Sequence, residues 1–272
     1  MSLKTFAKAF AVKSDKKLDL SEIDPRDKSY FESREEAEAS LVEDTQAINL
    51  LQDRLFAEAK QALLLVLQAT DAAGKDGTIR KVFGPVDPLG LRAYSFKKPT
   101  PAELAHDFLW RVHQKAPAKG EIAIFNRSHY EDVLVVRVRR LQSEEVVAAR
   151  YDQINDFERL LSFYGTRIIK VYLHVSKEEQ RERLQERVDI PEKRWKFNPG
   201  DLEERKLWDD YQQAFETALT KCSTAFAPWY VIPADRNWYR NALVARLVRL
   251  TLEDMNPEYP DPDFDPSGIE VV

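Results

Sequence analysis

Five apolar residues stand in an unbroken run at Leu63-Leu64-Leu65-Val66-Leu67. A run this short, apolar at odd and even positions alike, predicts a strand buried on both faces, as strands of parallel sheets are. Segments at 91–96, 121–125, 167–175 and 229–233 predict four further strands. Between them helical patterns cover about 75–83, 102–115, 143–163, 177–187, 201–222 and 236–254. Strand and helix alternate, so the predicted fold class is α/β, a doubly wound parallel sheet.

The flanks read differently. Residues 1–60 form a predicted N-terminal helical extension: a loose, charged opening, then a helix over about 34–60 with Ala37, Leu41, Ala47, Ile48, Leu51 and Leu55 at helical spacing. The central domain covers 61–255. Within it Pro191, Pro199 and Gly200 interrupt two charged helices, which predicts a helical lid over about 177–208. The segment 256–272 is rich in proline and aspartate and is expected to be an extended tail.

Composition narrows the class. No apolar run approaches the roughly 20 residues of a membrane span. The opening MSLKTFAKAF has no long apolar stretch and no cleavage site, so a cytoplasmic protein is expected. The one cysteine, Cys222, excludes an internal disulfide framework and a Cys-rich metal site. A net charge of −5 argues against a globally basic nucleic-acid binder. Residues 75–98, however, hold Lys75, Arg80, Lys81, Arg92, Lys97 and Lys98 against only Asp76 and Asp87. Such a local field attracts a polyanion despite the overall sign.

The first strand leads into Gln68-Ala69-Thr70-Asp71-Ala72-Ala73-Gly74-Lys75-Asp76-Gly77-Thr78. A loop between strand and helix aims backbone N–H groups at phosphate, with the positive helix end behind them. Gly74 allows close approach and Lys75 reaches the phosphate oxygens. Two residues depart from the G-x-x-x-x-G-K-[ST] pattern: Ala69 replaces the first glycine, and Asp76 replaces the magnesium-binding hydroxyl. Asp71 is therefore the expected metal ligand. At the end of the 121–125 strand, Asn126 stands where an acid is usual, and Arg127 follows with a guanidinium suited to phosphate.

Three ordered runs, DAAGKDG at 71–77, FNRSHYED at 125–132 and PEKRWKFNPGDLEER at 191–205, resemble the polyphosphate kinase 2 family. HDFLWR at 106–111 and APWYVIPADRNWYRN at 227–241 also fit, and the resemblance spans roughly residues 30–255. FNRSHYED is similar to class III members, which phosphorylate nucleoside monophosphates as well as diphosphates. The resemblance implies a P-loop kinase fold related to thymidylate kinases, magnesium (with manganese as a substitute), and a homodimer or homotetramer. It implies inorganic polyphosphate as one substrate and adenine nucleotides, with guanine as a further base, as the other. No nucleic acid or membrane partner is expected.

Carried over by position, Asp71, Lys75, Arg127, Arg187 and Arg205 are the implied catalytic set. Phosphate binding falls to Ala72, Ala73, Gly74, Asp76, Gly77, Asn126, Lys193 and Lys196, and Thr78 and Lys81, beside the loop, are further phosphate-binding candidates. Glu131 stands where family classes differ and is the implied determinant of the acceptor. Trp195 and Phe197 are expected to pack the lid tip. His106, His113, His129 and His174 are read as structural or positioning residues, which favours direct in-line transfer over a phosphohistidine. An ATP-dependent nucleoside monophosphate kinase on the same fold remains the alternative, because it needs the same loop, lid and arginines.

Overall fold

The computed structural model describes residues 2–13, 16–267 and 269–271. Strands β1 (Ala62–Gln68), β2 (Leu91–Ser95), β3 (Ile122–Asn126), β4 (Thr166–His174) and β5 (Trp229–Pro233) form one sheet in the order β2-β3-β1-β4-β5. Every neighbouring pair is parallel. The apolar run explains the central place of β1. Leu63, Leu65 and Leu67 enter the core on one face, and Leu64 and Val66 enter the core on the other. A strand with no polar face must lie inside the sheet.

The helices are α1 (Leu3–Phe10), α2 (Arg34–Glu58), α3 (Lys75–Phe83), α4 (Pro101–Leu104), α5 (Trp110–His113), α6 (Val135–Val138), α7 (Glu144–Phe163), α8 (Lys177–Asp189), α9 (Gly200–Lys206), α10 (Trp208–Lys221) and α11 (Asn237–Met255). From β1 the chain steps outward to β2, returns to β3, and then crosses to β4 on the opposite side. The winding reverses beside β1, so a crevice opens at the carboxyl ends of β1 and β3, where this class of sheet binds ligands.

Several expectations are corrected. The opening is not loose: Phe6 on α1 is buried, Ala11 bridges Tyr230 in antiparallel fashion, and Val12 N donates to Trp229 O at 2.9 Å. Its aromatic residues supply the reason, because the Phe6 ring packs at an angle against those of Phe10, Tyr30 and Tyr230. Helix α2 lies on α11, where buried Asp44 takes Arg246 at 2.8 Å and Arg249 at 2.9 Å. The single helix expected over 102–115 is two short ones. The Asp107 carboxylate accepts the N–H groups of Leu109 and Trp110 at 3.0 and 3.1 Å, offering the backbone a turn in place of a helix. The helix expected over 201–222 breaks at Leu207 into α9 and α10. Among the described residues no helix is long and apolar enough to cross a membrane.

Among β4, α7 and the turn after β3 lies a fully buried polar network. Lys170 donates to Glu158, to Tyr130 Oη at 2.8 Å and to Cys222 O at 2.7 Å. His129 Nε2 lies 3.2 Å from Glu158 Oε1. Burial pushes the Glu158 carboxyl up, but Lys170 and His129 outweigh it and hold it below the ordinary range. Replacing Lys170 with Met is expected to cost about 3–5 kcal/mol by urea denaturation, because it strands a buried carboxylate. The double variant Lys170→Met/Glu158→Gln is expected to be more stable than the single one.

Candidate active site

The loop after β1 turns back through two left-handed residues before the next helix. Ala72 has φ 61° and Gly74 φ 103°, and the turn ends where α3 begins at Lys75. The first N–H groups of a helix have no carbonyl four residues back, so they face the crevice as donors. The loop carbonyls point the other way and are met by side chains. Arg240 Nη1 donates to Ala73 O at 3.0 Å. Arg183 Nη1 donates to Ala73 O at 2.9 Å and Ala72 O at 3.3 Å, and Gln180 Nε2 donates to Asp71 O at 3.0 Å.

Lys75 is buried, with Nζ donating to Ala69 O at 3.0 Å and Thr70 O at 3.3 Å. Burial, helped by the Arg127 guanidinium, depresses its ammonium pKa to about 8. Arg127 follows β3, and its N–H bonds to Leu67 O at 3.0 Å. Its backbone is left-handed, with φ 61°. This turn aims the guanidinium across the crevice, where it pairs with Asp71 and, at 3.5 Å, with Glu131. Glu131 sits on a 3₁₀ turn (His129–Asp132), and burial raises its pKa against the pull of Arg127 and Lys75.

These groups edge a cleft of about 400 Å³. Asp71, Lys98, Arg127 and Glu131 line it, Gln180 comes from α8 and Asp201, Glu204 and Arg205 from α9, and Leu134, Val135, Trp208, Tyr211 and Phe215 add apolar surface. Charged groups for phosphate together with apolar surface for a flat ring suit a nucleotide.

Not every expected residue joins the cleft. Asn126 Nδ2 donates to Asp76 Oδ1 at 2.6 Å, so these two hold the loop to β3. Thr78 is turned inward instead of toward phosphate: its N–H bonds to Gly74 O at 3.0 Å, and Oγ1 accepts from Arg240 Nε at 2.7 Å. Arg187 is held by Asp201 at 3.0 Å. Lys81 is exposed on α3, Lys193 pairs with Glu186 at 2.7 Å, and Lys196 lies 5.1 Å from the Trp195 ring centre. Trp195 is not packed but 78% exposed, a correction that follows from its place on a short 3₁₀ turn, Pro191–Lys196, that buries none of its residues. Arg183, Gln180 and Arg240 were missed as loop supports. No spacing rule marks residues that meet the loop from α8 and α11; Arg240 alone of the three stands in a motif run, 227–241, and nothing local marks Gln180 or Arg183.

A divalent cation was expected at Asp71. Among the described residues no group of three His, Cys, Asp or Glu side chains is assembled to hold one. Magnesium does not require such a cage, since it keeps several waters and takes one or two carboxylates plus phosphate oxygens. Asp71, Glu131 and Asp201 all edge the cleft. Burial and the Asp71 charge raise the Asp201 pKa, so Asp71 and Asp201 stand as a pair of neighbouring hard oxygen donors, as many as such an ion takes from protein.

A parallel sheet carrying a strand–loop–helix phosphate cradle with a buried loop lysine defines a phosphotransferase of the P-loop kinase fold. The chain belongs to the polyphosphate kinase 2 (PPK2) family, whose model matches residues 31–260. It is 54% identical over 257 residues to the AMP/ADP-polyphosphate phosphotransferase of Meiothermus ruber, covering 94% of this chain and 96% of that one. It is 42% identical to the ADP-polyphosphate phosphotransferase of Rhodopseudomonas palustris over 96% of this chain and 94% of the other. The crystal structure of polyphosphate kinase 2 from Arthrobacter aurescens superposes with a TM-score of 0.93 at 41% identity, covering 97% of this chain and 95% of that chain.

Proposed function

We propose that the protein transfers a phosphoryl group reversibly between inorganic polyphosphate and adenine nucleotides, with AMP and ADP as acceptors. One observation carries the reading: Arg127, turned by its left-handed backbone, faces the phosphate loop across the cleft beside Lys75. Family membership and the named relatives support polyphosphate as the donor.

Phosphoryl transfer passes through a loose transition state, so the site's task is positioning and charge stabilisation. Loop N–H groups and Lys75 hold the donor phosphates, while Arg127 spans the donor and the incoming acceptor oxygen. The nucleotide phosphate is already ionised near neutral pH, so no strong base is required. Asp71, with Asp201 or Glu131 beside it, would hold magnesium, which when bound withdraws charge from the phosphate oxygens. Glu131 faces the cleft and acts on acceptor choice through its charge and reach. Residues 177–208 close over the site as a lid, with Arg187 and Arg205 on its inner side. Lys81, Lys193 and Lys196 extend the basic track along which a long polyanion lies. A homodimer or homotetramer belongs to the same reading; exposed Val42, Leu50 and Phe56 on α2 support it, and analytical ultracentrifugation tests it.

A donor–acceptor matrix tests the reaction: polyphosphate or ATP against AMP, ADP, GMP and GDP, with and without magnesium. ATP formation from ADP and polyphosphate with no ATP supplied is the expected result. Turnover only with ATP as donor would favour the nucleoside monophosphate kinase alternative.

The depressed Lys75 pKa carries a pH signature. The protonated ammonium is the phosphate-binding form, and it is lost as pH rises through about 8. The kcat/KM for polyphosphate is therefore expected to fall above that pH, with the kcat limb displaced upward because bound phosphate favours the ammonium. Lys75→Arg is expected to remove this basic limb at any residual activity.

A further inference from the structure

Three neighbouring carbonyls of the phosphate loop, at 71, 72 and 73, are met by two side chains one turn apart on α8. Gln180 takes the first, and Arg183 takes the other two. Gln180 is 3% exposed and uses both ends of its amide. Its Nε2 donates to Asp71 O at 3.0 Å, and its Oε1 accepts from Arg205 Nη1 at 2.8 Å. The same Arg205 nitrogen donates to Lys177 O at 2.6 Å. Arg205 thus reaches the loop through an intermediary, and its Nη1 is engaged by α8.

Carbonyl direction decides amide direction, because the peptide is planar. Holding the Asp71 carbonyl on α8 keeps the following N–H turned toward the cleft. A loop with Ala69 in place of glycine and a left-handed Ala72 depends on such external support. We propose that Gln180 is a positioning residue for phosphoryl transfer, coupling Arg205 of the lid to the Asp71 carbonyl, so that Arg205 acts through the loop and not on the transferred group. The proposal rests on the phosphotransfer reading above.

The test is a double-mutant cycle with Gln180→Met, Arg205→Met and their combination, plus Gln180→Glu. Gln180→Met is expected to lower kcat about tenfold, with nucleotide KM within about twofold and little change in Tm. The double variant is expected to match Arg205→Met alone within about twofold, since both changes cut one chain of contacts. Gln180→Glu still accepts from Arg205 but cannot donate to Asp71 O, so it is expected to be as impaired as Gln180→Met. Calorimetric binding of inorganic tripolyphosphate, with no acceptor present, is expected to weaken about tenfold in both Gln180 variants.

Multiplying single effects, a wild-type kcat in Gln180→Met, or full activity in Gln180→Glu would each overturn the proposal. If Gln180→Met does not fold, the same cycle run with Gln180→Glu and Arg205→Met decides it. A wild-type enzyme inactive with polyphosphate, yet showing the tripolyphosphate change, would end the functional reading and leave the positioning role standing.

Discussion

Arg127→Ala is expected to lower kcat by about a thousandfold while Tm shifts by only a few degrees. The guanidinium ties the phosphate loop, through Asp71, to the turn after β3, through Glu131. In the proposed reaction this preorganised cation meets the charge that develops on the transferred phosphoryl group. Stability is little affected for two reasons. The side chain is 37% exposed, so its ion pairs are partly solvated. Alanine also bears the same left-handed backbone at this position as arginine does. Arg127→Lys is expected to remain severely impaired, because an ammonium cannot span two carboxylates as a fork does. Steady-state kinetics with scanning calorimetry measures both quantities, and a purified, folded Arg127→Ala enzyme turning over at the wild-type rate would remove the central cation from the mechanism. Lys75→Ala is expected to fall as far.

Gly74→Ala is expected to damage stability and catalysis together. At φ 103° any side chain is strained, at roughly 1–2 kcal/mol. A Cβ there would also lie 2.7 Å from Arg240 Cζ. Arg240 cannot step aside freely. It is buried, bonded to Ala73 O, Thr78 Oγ1 and Asn237 Oδ1, and its pKa is depressed to about 9 by burial and by Arg183. Displacing it breaks charge-assisted bonds to the loop, giving a total loss of about 3 kcal/mol and a Tm decrease of roughly 6–12 °C. The loop amides move with it, so kcat/KM is expected to drop about a hundredfold. Gly77→Ala is the matched control: its Cβ would meet Arg240 Nη2 at 3.6 Å, an ordinary contact, and near-native stability is expected. Equal melting temperatures for the two variants would mean that Arg240 does not pack behind the loop.

Much of the scaffold was legible because its signals are local. The run 63–67 announced β1, and helix α3 begins at Lys75 as the glycine–lysine pair predicted. Helices α4 and α5 were read as one because the Asp107 turn depends on a side chain bending back to its own backbone, which periodicity does not register. The opening was read as loose because Phe6 and Phe10 become core only once β5 and Tyr30 lie beside them. Within the site, Asp71, Lys75, Arg127 and Glu131 stood in contiguous motifs, and the structure brings them together. Thr78 shared the motif but not the direction, since one turn into a helix a side chain faces the core.

From its order of residues alone, the chain determined a parallel α/β sheet, a phosphate loop at the end of its central strand, and the charged groups beside that loop. Those follow from hydrophobic period, glycine placement and short-range spacing, all properties of neighbours in sequence. Tertiary structure alone decided which way the loop's amides face and which lid cations reach the cleft. Those depend on Gln180, Arg183 and Arg240, which meet the loop from more than 100 residues away. A buried carbonyl takes whichever donor packing delivers, and no local pattern specifies that partner.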